Sequence, residues 1–260
     1  MLKPLILVTN DDGITAPGLR HLIYLMNTLG EVVVVAPESP QSGMGHAITI
    51  DNTLYSKKVV IDKEKGAPAE YSCSGTPADC VKLALQEILD RKPDIVVSGI
   101  NHGSNSSINV IYSGTMSAAI EAGIEGIPSI GFSLCDYSWN ADFSHLGPSI
   151  IKIVQEALDK GMPKGTVLNV NMPKSDAGEI KGIRVCRQAR ANWKEKFDKR
   201  LSPSGKEYYW LTGEFELLDK GDDTDVHAID SGYISIVPTQ FDLTAYHAIQ
   251  HISNWNLNES

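Results

Sequence analysis

The sequence predicts an α/β protein built on a doubly wound, mostly parallel β-sheet, with a projecting β-hairpin arm and a C-terminal helix. Through the first two thirds of the chain, short apolar runs alternate with segments of helical periodicity. The apolar runs are too continuous for half-exposed strands, and they suit strands that helices cover on both faces. Beyond residue 184, charged and aromatic residues interleave, so a different structure is expected there.

The first βαβ unit lies at the start of the chain. Residues 5–8 and 32–36 are apolar and predict two strands, and residues 19–29 between them carry apolar side chains at helical spacing. Pro17 lies near the first turn of that helix, where the missing N–H of proline costs nothing. The remaining strands of this core are expected at 95–97, 129–132 and 167–170, and the remaining helices at 77–89, 113–122 and 148–158.

Residues 187–216 predict a long hairpin with a turn at 202–205. The segment has too few aliphatic residues for a core, so we expect it to project. Aromatic residues mixed with arginine are typical of interface hot spots, and a lone hairpin is marginally stable in water. Another subunit is therefore the expected partner, and the alternative is a hairpin that folds back on its own core. A last strand at 233–237 and a helix at 243–252 follow.

Composition excludes several classes of function. The chain has 260 residues, 42% of them hydrophobic, and a formal net charge of −9. This acidic balance argues against a broad nucleic-acid surface or an anionic membrane surface, because both need clustered lysine and arginine. No apolar run approaches the roughly 20 residues of a membrane span, and no signal peptide is expected. The four cysteines lack zinc-ligand spacing, so we expect free thiols and a cytoplasmic protein.

Polar side chains follow three predicted strands at the point where each strand ends. Asp11 and Asp12 follow the first strand, Ser42 lies in the loop after the second, and Asn101 follows the strand at 95–97. In an open parallel sheet, these ends meet at the edge where ligands bind. Each residue alone is explained as well by a cap or a turn. Together their oxygen atoms favour a site for Mg²⁺, Mn²⁺ or Ca²⁺.

A candidate phosphate site lies downstream. Ser113, Gly114 and Thr115 place two hydroxyls and a glycine at the start of a predicted helix. Unpaired N–H groups and the helix dipole favour an anion there, although an ordinary N-cap explains Ser113 equally well. A divalent metal beside an anion site is an arrangement for phosphoryl transfer. His46 and His102 lie in the neighbouring loops, and a role in proton transfer stays open for both.

Several other phosphate-binding motifs are excluded. The chain has no GxxxxGK[ST], hence no P-loop. Gly43-Met44-Gly45 begins like a dinucleotide fingerprint, but Ile48 stands where the third glycine belongs. A haloacid-dehalogenase-type phosphatase would need a nucleophilic aspartate where this chain has Asn10. That substitution argues against a phospho-aspartate enzyme.

Taken together, these motifs resemble the SurE family of metal-dependent nucleotidases. The matching stretches include LVTNDDGI at 7–14, SGINHG at 98–103, YSGT at 112–115, VLNVNMP at 167–173 and TDVHAI at 224–229. The resemblance therefore covers nearly the whole chain in order. It implies a Rossmann-like core, hydrolysis of nucleoside 5′- and 3′-monophosphates with Mg²⁺ or Mn²⁺, and a homodimer or homotetramer assembled through the C-terminal third.

The resemblance also implies roles for individual residues. By matching position, one divalent cation per subunit would be bound by Asp11, Asp12, Ser42 and Asn101, of which all but Ser42 would be catalytic. The candidate substrate-binding residues are Asn10, Gly43, Gly103, Ser113, Gly114 and Thr115. Departures at 104–107 and 116–117 put the substrate preference in doubt but not the chemistry.

The leading hypothesis is a phosphomonoesterase that removes phosphate from nucleotides by attack of a metal-activated water. The alternative is a regulatory module that binds a nucleotide or a metal without turnover. We divide the chain into a Rossmann-like metal- and phosphate-binding core, residues 1–185, and a segment used in oligomerisation, residues 186–260, both within a single unit.

Overall fold

The computed structural model describes residues 3–62, 67–174 and 178–257, and it confirms the predicted α/β class. Within these ranges, nine strands form one sheet and two more form a separate hairpin. The strands are β1 Leu5–Thr9, β2 Glu31–Pro37, β3 Ser56–Val59, β4 Ala69–Cys73, β5 Ile95–His102, β6 Ser129–Leu134, β7 Thr166–Met172, β8 Ile183–Val185, β9 Ala191–Leu201, β10 Glu207–Leu217 and β11 Ile234–Gln240. The α-helices are α1 Pro17–Met26, α2 Pro77–Leu83, α3 Gly114–Ile124, α4 Gly147–Lys160, α5 Asp225–Asp230 and α6 Tyr246–Ser253.

The order of strands across the large sheet is β3-β4-β2-β1-β5-β6-β7-β11-β8. Strand β1 is fourth in this order and pairs in parallel with β2 on one side and β5 on the other. The chain first moves outward through β2 and β4, then returns to β5 and moves outward through β6 and β7. The direction of winding therefore reverses between β1 and β5. In open α/β sheets, ligands bind at the carboxyl ends of the strands beside such a switch point.

Helices cover both faces of the sheet, as the continuous apolar runs predict. Along β1, Ile6 and Val8 pack into one apolar cluster with residues of α1 and α4. Leu7, between them, packs on the opposite face with residues of α2 and α3. Successive side chains of a strand point to opposite faces of the sheet. A strand that is buried on both faces is therefore apolar at every position and does not alternate between apolar and polar residues.

Strands β9 and β10 form the predicted hairpin, and most of its side chains are exposed. Helix α6 has no buried residue. Large apolar side chains are exposed in the hairpin (Phe197, Tyr209, Trp210 and Leu211) and in α6 (Tyr246, Ile249 and Ile252). In the part of the chain that the structure describes, no helix combines the length and the apolarity needed to cross a membrane.

Three strands of the large sheet, β3, β4 and β8, were not predicted. Strand β4 lies inside the sheet, between β2 and β3, but polar residues interrupt its apolar pattern. One of them, Glu70, is buried and ion-paired with Arg20 at 2.6 Å. The helix expected at 77–89 is α-helical only to Leu83 and ends in a single π-helical turn.

The division at residue 185 stays a prediction. The structure adds that the C-terminal segment contributes β11 to the large sheet, where it pairs antiparallel with β7. The hairpin β9–β10 instead forms a sheet of its own.

Candidate active site

Asp11 lies in the turn after β1 and is almost fully buried, with 4% of its surface exposed. Its Oδ1 accepts a hydrogen bond of 2.5 Å from the Thr115 hydroxyl in α3. Its backbone carbonyl accepts a hydrogen bond of 2.7 Å from the N–H of Gln41, in the loop after β2. The turn after β1 is therefore the point at which α3 and the loop after β2 meet.

Asp12 is half-buried beside Asp11 and connects to the neighbouring strand. Its Oδ2 accepts a hydrogen bond of 3.3 Å from the backbone N–H of His102, the last residue of β5. This contact brings the ends of β1 and β5 together at the switch point of the sheet.

Burial is the largest influence on the pKa values of the two carboxylates. Burial raises the pKa of Asp11 to about 6, and the nearby charge of Asp12 adds to the increase, while hydrogen bonds from Thr115 oppose it. Burial also raises the pKa of Asp12, against the opposing effects of the backbone N–H and the charge of His102. A cation bound between two such groups would stabilise their ionised forms.

Asn101 lies near the end of β5, where the pairing with β6 is irregular between Ser98 and Asn101. Irregularities of this kind re-aim side chains and are frequent beside active sites. The Asn101 Nδ2 donates a hydrogen bond of 2.8 Å to the carbonyl of Gly103. With its nitrogen held there, the amide keeps Oδ1 as an acceptor for a ligand. Gly103 is buried, and the ring of Tyr137 packs against its Cα.

The N-terminus of α3 packs directly against Asp11. A Cβ on Gly114 would lie 2.7 Å from the Cβ of Asp11 and 2.8 Å from its Oδ2, so only glycine allows this approach. Ser113 caps the helix, accepting a hydrogen bond of 3.0 Å from the N–H of Met116. Thr115 is fully buried and its hydroxyl is used by Asp11. The Thr115 hydroxyl thus supports a candidate metal ligand, and contact of Thr115 with the substrate stays a prediction.

Ser42 and Gly43 lie in the exposed loop after β2. The hydrogen bond from Gln41 to Asp11 brings this loop to the turn after β1. A side chain on Gly43 would meet open space, and its φ is +73°. The contact of Ser42 with a metal stays a prediction.

Asn10 is fully buried under the turn after β1, which it shapes by donating a hydrogen bond of 3.0 Å to the carbonyl of Gly13. Its burial favours a role in holding the turn over the expected contact with substrate. Of the two histidines left open, His102 stacks on Trp139 and its Nδ1 lies 2.8 Å from the Ser138 carbonyl. The Nε2 of His46 lies within hydrogen-bond distance, 2.9 Å, of Oε2 of Glu121.

The donor atoms brought together fit a hard divalent cation. They are oxygen atoms of two carboxylates with raised pKa values and of one oriented amide, and hard cations prefer such ligands. Across residues 3–62, 67–174 and 178–257, no group of three or more His, Cys, Asp and Glu side chains is arranged to hold a metal. An ion here would therefore combine two carboxylates with neutral oxygen ligands.

Known proteins are similar to this chain in sequence and in architecture. The family model described as Survival protein SurE matches residues 6–195. The chain belongs to the SurE family. It is 67% identical over 259 residues to the 5′-nucleotidase SurE of Flavobacterium psychrophilum, covering 100% of both proteins. It is 67% identical over 257 residues to the 5′-nucleotidase SurE of Christiangramia forsetii, covering 99% of this chain and 98% of that protein.

The fold agrees with a solved SurE structure. The crystal structure of the SurE protein from Aquifex aeolicus matches with a TM-score of 0.81 at 41% sequence identity, covering 96% of this chain and 98% of that chain. The large sheet and its flanking helices are therefore an architecture that a SurE protein is known to adopt.

A buried amide network supports the loop after β5 in this SurE chain, and sequence reasoning missed its role. The backbone N–H of Asn105 donates to Asn171 Oδ1 at 2.8 Å, and Asn169 Nδ2 donates to the Asn105 carbonyl at 2.9 Å. Both partners lie on β7. The signal that was available is the pair of asparagines, two residues apart, in an otherwise apolar strand.

Two clefts adjoin the site, and the base of the hairpin forms a wall of both. One of about 350 Å³ is lined by Gly43, Tyr112 and Trp193, among others. The other, of about 380 Å³, is lined by Tyr137 and also by Trp193, among others. The Trp193 Nε1–H donates a hydrogen bond of 2.8 Å to Asn109, which fixes the indole ring.

Proposed function

We propose that this protein is a metal-dependent nucleotidase that hydrolyses nucleoside 5′-monophosphates, and also 3′-monophosphates, to nucleoside and phosphate. The observation that carries the proposal is the convergence of Asp11, Asp12 and the Asn101 segment with the N-terminus of α3 at the switch point of the sheet. The relatives named 5′-nucleotidase SurE support the substrate class.

Asp11, Asp12, Ser42 and Asn101 would hold one Mg²⁺ or Mn²⁺ per subunit. When bound, the ion supplies Lewis-acid chemistry, neutralising phosphoryl charge and lowering the pKa of the attacking water. The two aspartates would contribute the negative charge, and Ser42 and Asn101 would contribute neutral oxygen atoms.

Residues of the chain would fix the geometry of the reaction. The Thr115 hydroxyl holds Oδ1 of Asp11, which leaves Oδ2 for ligation. The N–H of Gly114, at the start of α3, has no carbonyl partner within the helix and would donate to a phosphoryl oxygen. Ser113 keeps its hydroxyl hydrogen for the same purpose, because its oxygen serves as the helix cap.

The nucleoside would lie in the cleft between Tyr112 and Trp193, next to Gly43. Stacking of a base on an aromatic side chain contributes roughly 1–3 kcal/mol and tolerates every base. We therefore expect several nucleoside monophosphates to be accepted with modest discrimination.

The exposed apolar side chains of the hairpin and α6 support assembly through residues 186–260 into a homodimer or homotetramer. The cytoplasm is the proposed location, because four free cysteines suit a reducing compartment.

Release of phosphate from AMP by the purified protein tests the function. We expect turnover with Mn²⁺ or Mg²⁺, none with EDTA, and recovery when the metal is restored. Asp12→Asn should abolish turnover, whereas Asp159→Asn, a matched change at an exposed position of α4, should not. Comparison of 5′-AMP with 3′-AMP tests the second activity. Binding of Mn²⁺ and AMP without any turnover would instead support the regulatory module.

A further inference from the structure

The segment that carries Ser42 has few contacts of its own. Residues 42–46 are mostly exposed, and they include Gly43 and Gly45 in the left-handed region of backbone conformation. The N–H of Gly45 donates to the Tyr112 carbonyl at 3.2 Å. Glycines make a segment conformationally permissive, so its position must be fixed from outside.

His46 is the last residue of this segment, and its side chain contacts Glu121 of α3. The Nε2 of His46 lies 2.9 Å from Oε2 of Glu121, whose side chain is only 4% exposed. The other carboxylate oxygen, Oε1, accepts a hydrogen bond of 2.6 Å from Lys82 of α2. Burial alone would raise the pKa of Glu121, but the hydrogen bonds from His46 and Lys82 hold its pKa below the ordinary value. Glu121 is thus an ionised buried anchor with two partners.

The anchor belongs to the helix that also supports Asp11. Glu121 lies in α3, and the first turn of α3 contacts Asp11 through Gly114 and Thr115. One rigid helix therefore contacts both sides of the candidate metal site. At its start it holds the carboxylate ligand, and two turns later it holds the loop of the neutral ligand.

We infer that His46 is a positioning residue for the metal site, which acts by tying the Ser42 segment to α3 through Glu121. The inference rests on the proposed function, because it takes Ser42 as a ligand of the divalent cation. Without the tether, the segment would sample positions in which Ser42 lies away from Asp11 and Asp12, and the ion would bind more weakly.

Lys82 provides a matched control. Lys82 contacts the same buried carboxylate from α2, but it lies outside the Ser42 segment. Lys82→Met and His46→Ala each remove one partner of Glu121. If His46 has a purely structural role, the two variants should have similar effects on stability and equal effects on the affinity for the metal ion. A positioning role predicts an effect on metal binding for His46 alone.

The test is the dissociation constant for Mn²⁺, measured by electron paramagnetic resonance on the full chain without substrate. We expect His46→Ala to raise it about tenfold, the low end of the range for residues that orient metal ligands. His46→Gln, which can still donate a hydrogen bond to Glu121, should restore most of the affinity. Lys82→Met should stay within about twofold of the wild type.

A second comparison keeps the inference testable if His46→Ala does not fold. Glu121→Gln removes the charged acceptor that holds His46, so it should raise the Mn²⁺ dissociation constant in the full chain, whereas Lys82→Met should not. Equal shifts for Lys82→Met and His46→Ala, or no shift for a folded His46→Ala, would overturn the inference alone. A wild-type protein that binds no Mn²⁺ would overturn the proposed function, and this inference with it.

Discussion

The carboxyl edge of the sheet buries polar side chains, whereas the hairpin and α6 expose apolar side chains. At the sheet edge, charged and amide side chains are buried, and the chain itself supplies partners such as Thr115 for Asp11. In the hairpin and α6, large apolar side chains such as Trp210 and Tyr246 are exposed. The first region is organised within one chain, whereas the second presents surface that a further subunit would bury.

The largest effect is expected at the sheet edge. Asp11→Asn or Asp12→Asn preserves size but removes a charge from the proposed ion site, so turnover of AMP should fall at least about 100-fold, or roughly 3 kcal/mol of barrier. Ser42→Ala should have a smaller effect, since water can replace a neutral ligand. Steady-state kinetics at saturating Mn²⁺ measures this, and near-normal activity of Asp11→Asn would refute the ligand assignment.

Thr115→Val tests whether the hydrogen bond from Thr115 to Asp11 contributes to activity. The substitution keeps the shape but removes the hydrogen bond to Asp11, and loss of a hydrogen bond to a charged group costs about 1.5–3 kcal/mol. We expect kcat/KM for AMP to fall by more than about tenfold, which corresponds to 1.4 kcal/mol. Ser117→Ala in the same helix is the control, because the Ser117 hydroxyl donates to the Gly114 carbonyl and not to Asp11. Equal losses for both variants would contradict a specific role for Thr115.

Shortening the hairpin tests whether its exposed apolar side chains are used in assembly. Phe197 and Leu211 are paired across the two strands, so residues 198–210 can be replaced by Asn-Gly in a two-residue turn that keeps the pairing near Trp193. Light scattering should show a smaller oligomer or one that dissociates at higher concentration. Affinity for Mn²⁺ should be unchanged. An intact protein that is already monomeric at micromolar concentration would contradict assembly through the hairpin.

The smallest effect concerns pH and the buried Glu121. Its pKa in the folded protein is lowered from 4.5, so its ionised form stabilises the fold above that pH, and this contribution is lost as the pH falls through the lowered value. The wild type should exceed Glu121→Gln in free energy of unfolding by about 1–2 kcal/mol at neutral pH. Denaturant titrations from pH 7 downwards should show the difference shrinking. A constant difference would show that Glu121 does not act through its charge.

The sequence was sufficient for the central strands and for the clustering of polar strand ends, because both follow from local pattern and from the topology of parallel sheets. It was insufficient for β4, where Glu70 is buried by pairing with the distant Arg20. It also did not foresee that the Thr115 hydroxyl would serve Asp11, or that His46 would pair with Glu121. Each of these contacts joins residues far apart in the chain, and no local spacing encodes them.

The candidate ligands and the start of α3 all lie before residue 116, whereas the hairpin begins at Ala191. During synthesis, the parts of the reaction centre would therefore leave the ribosome well before the segment proposed for assembly. Over evolutionary time, the same separation would let the part of the arm beyond Trp193 change in length without disturbing the proposed metal ligands.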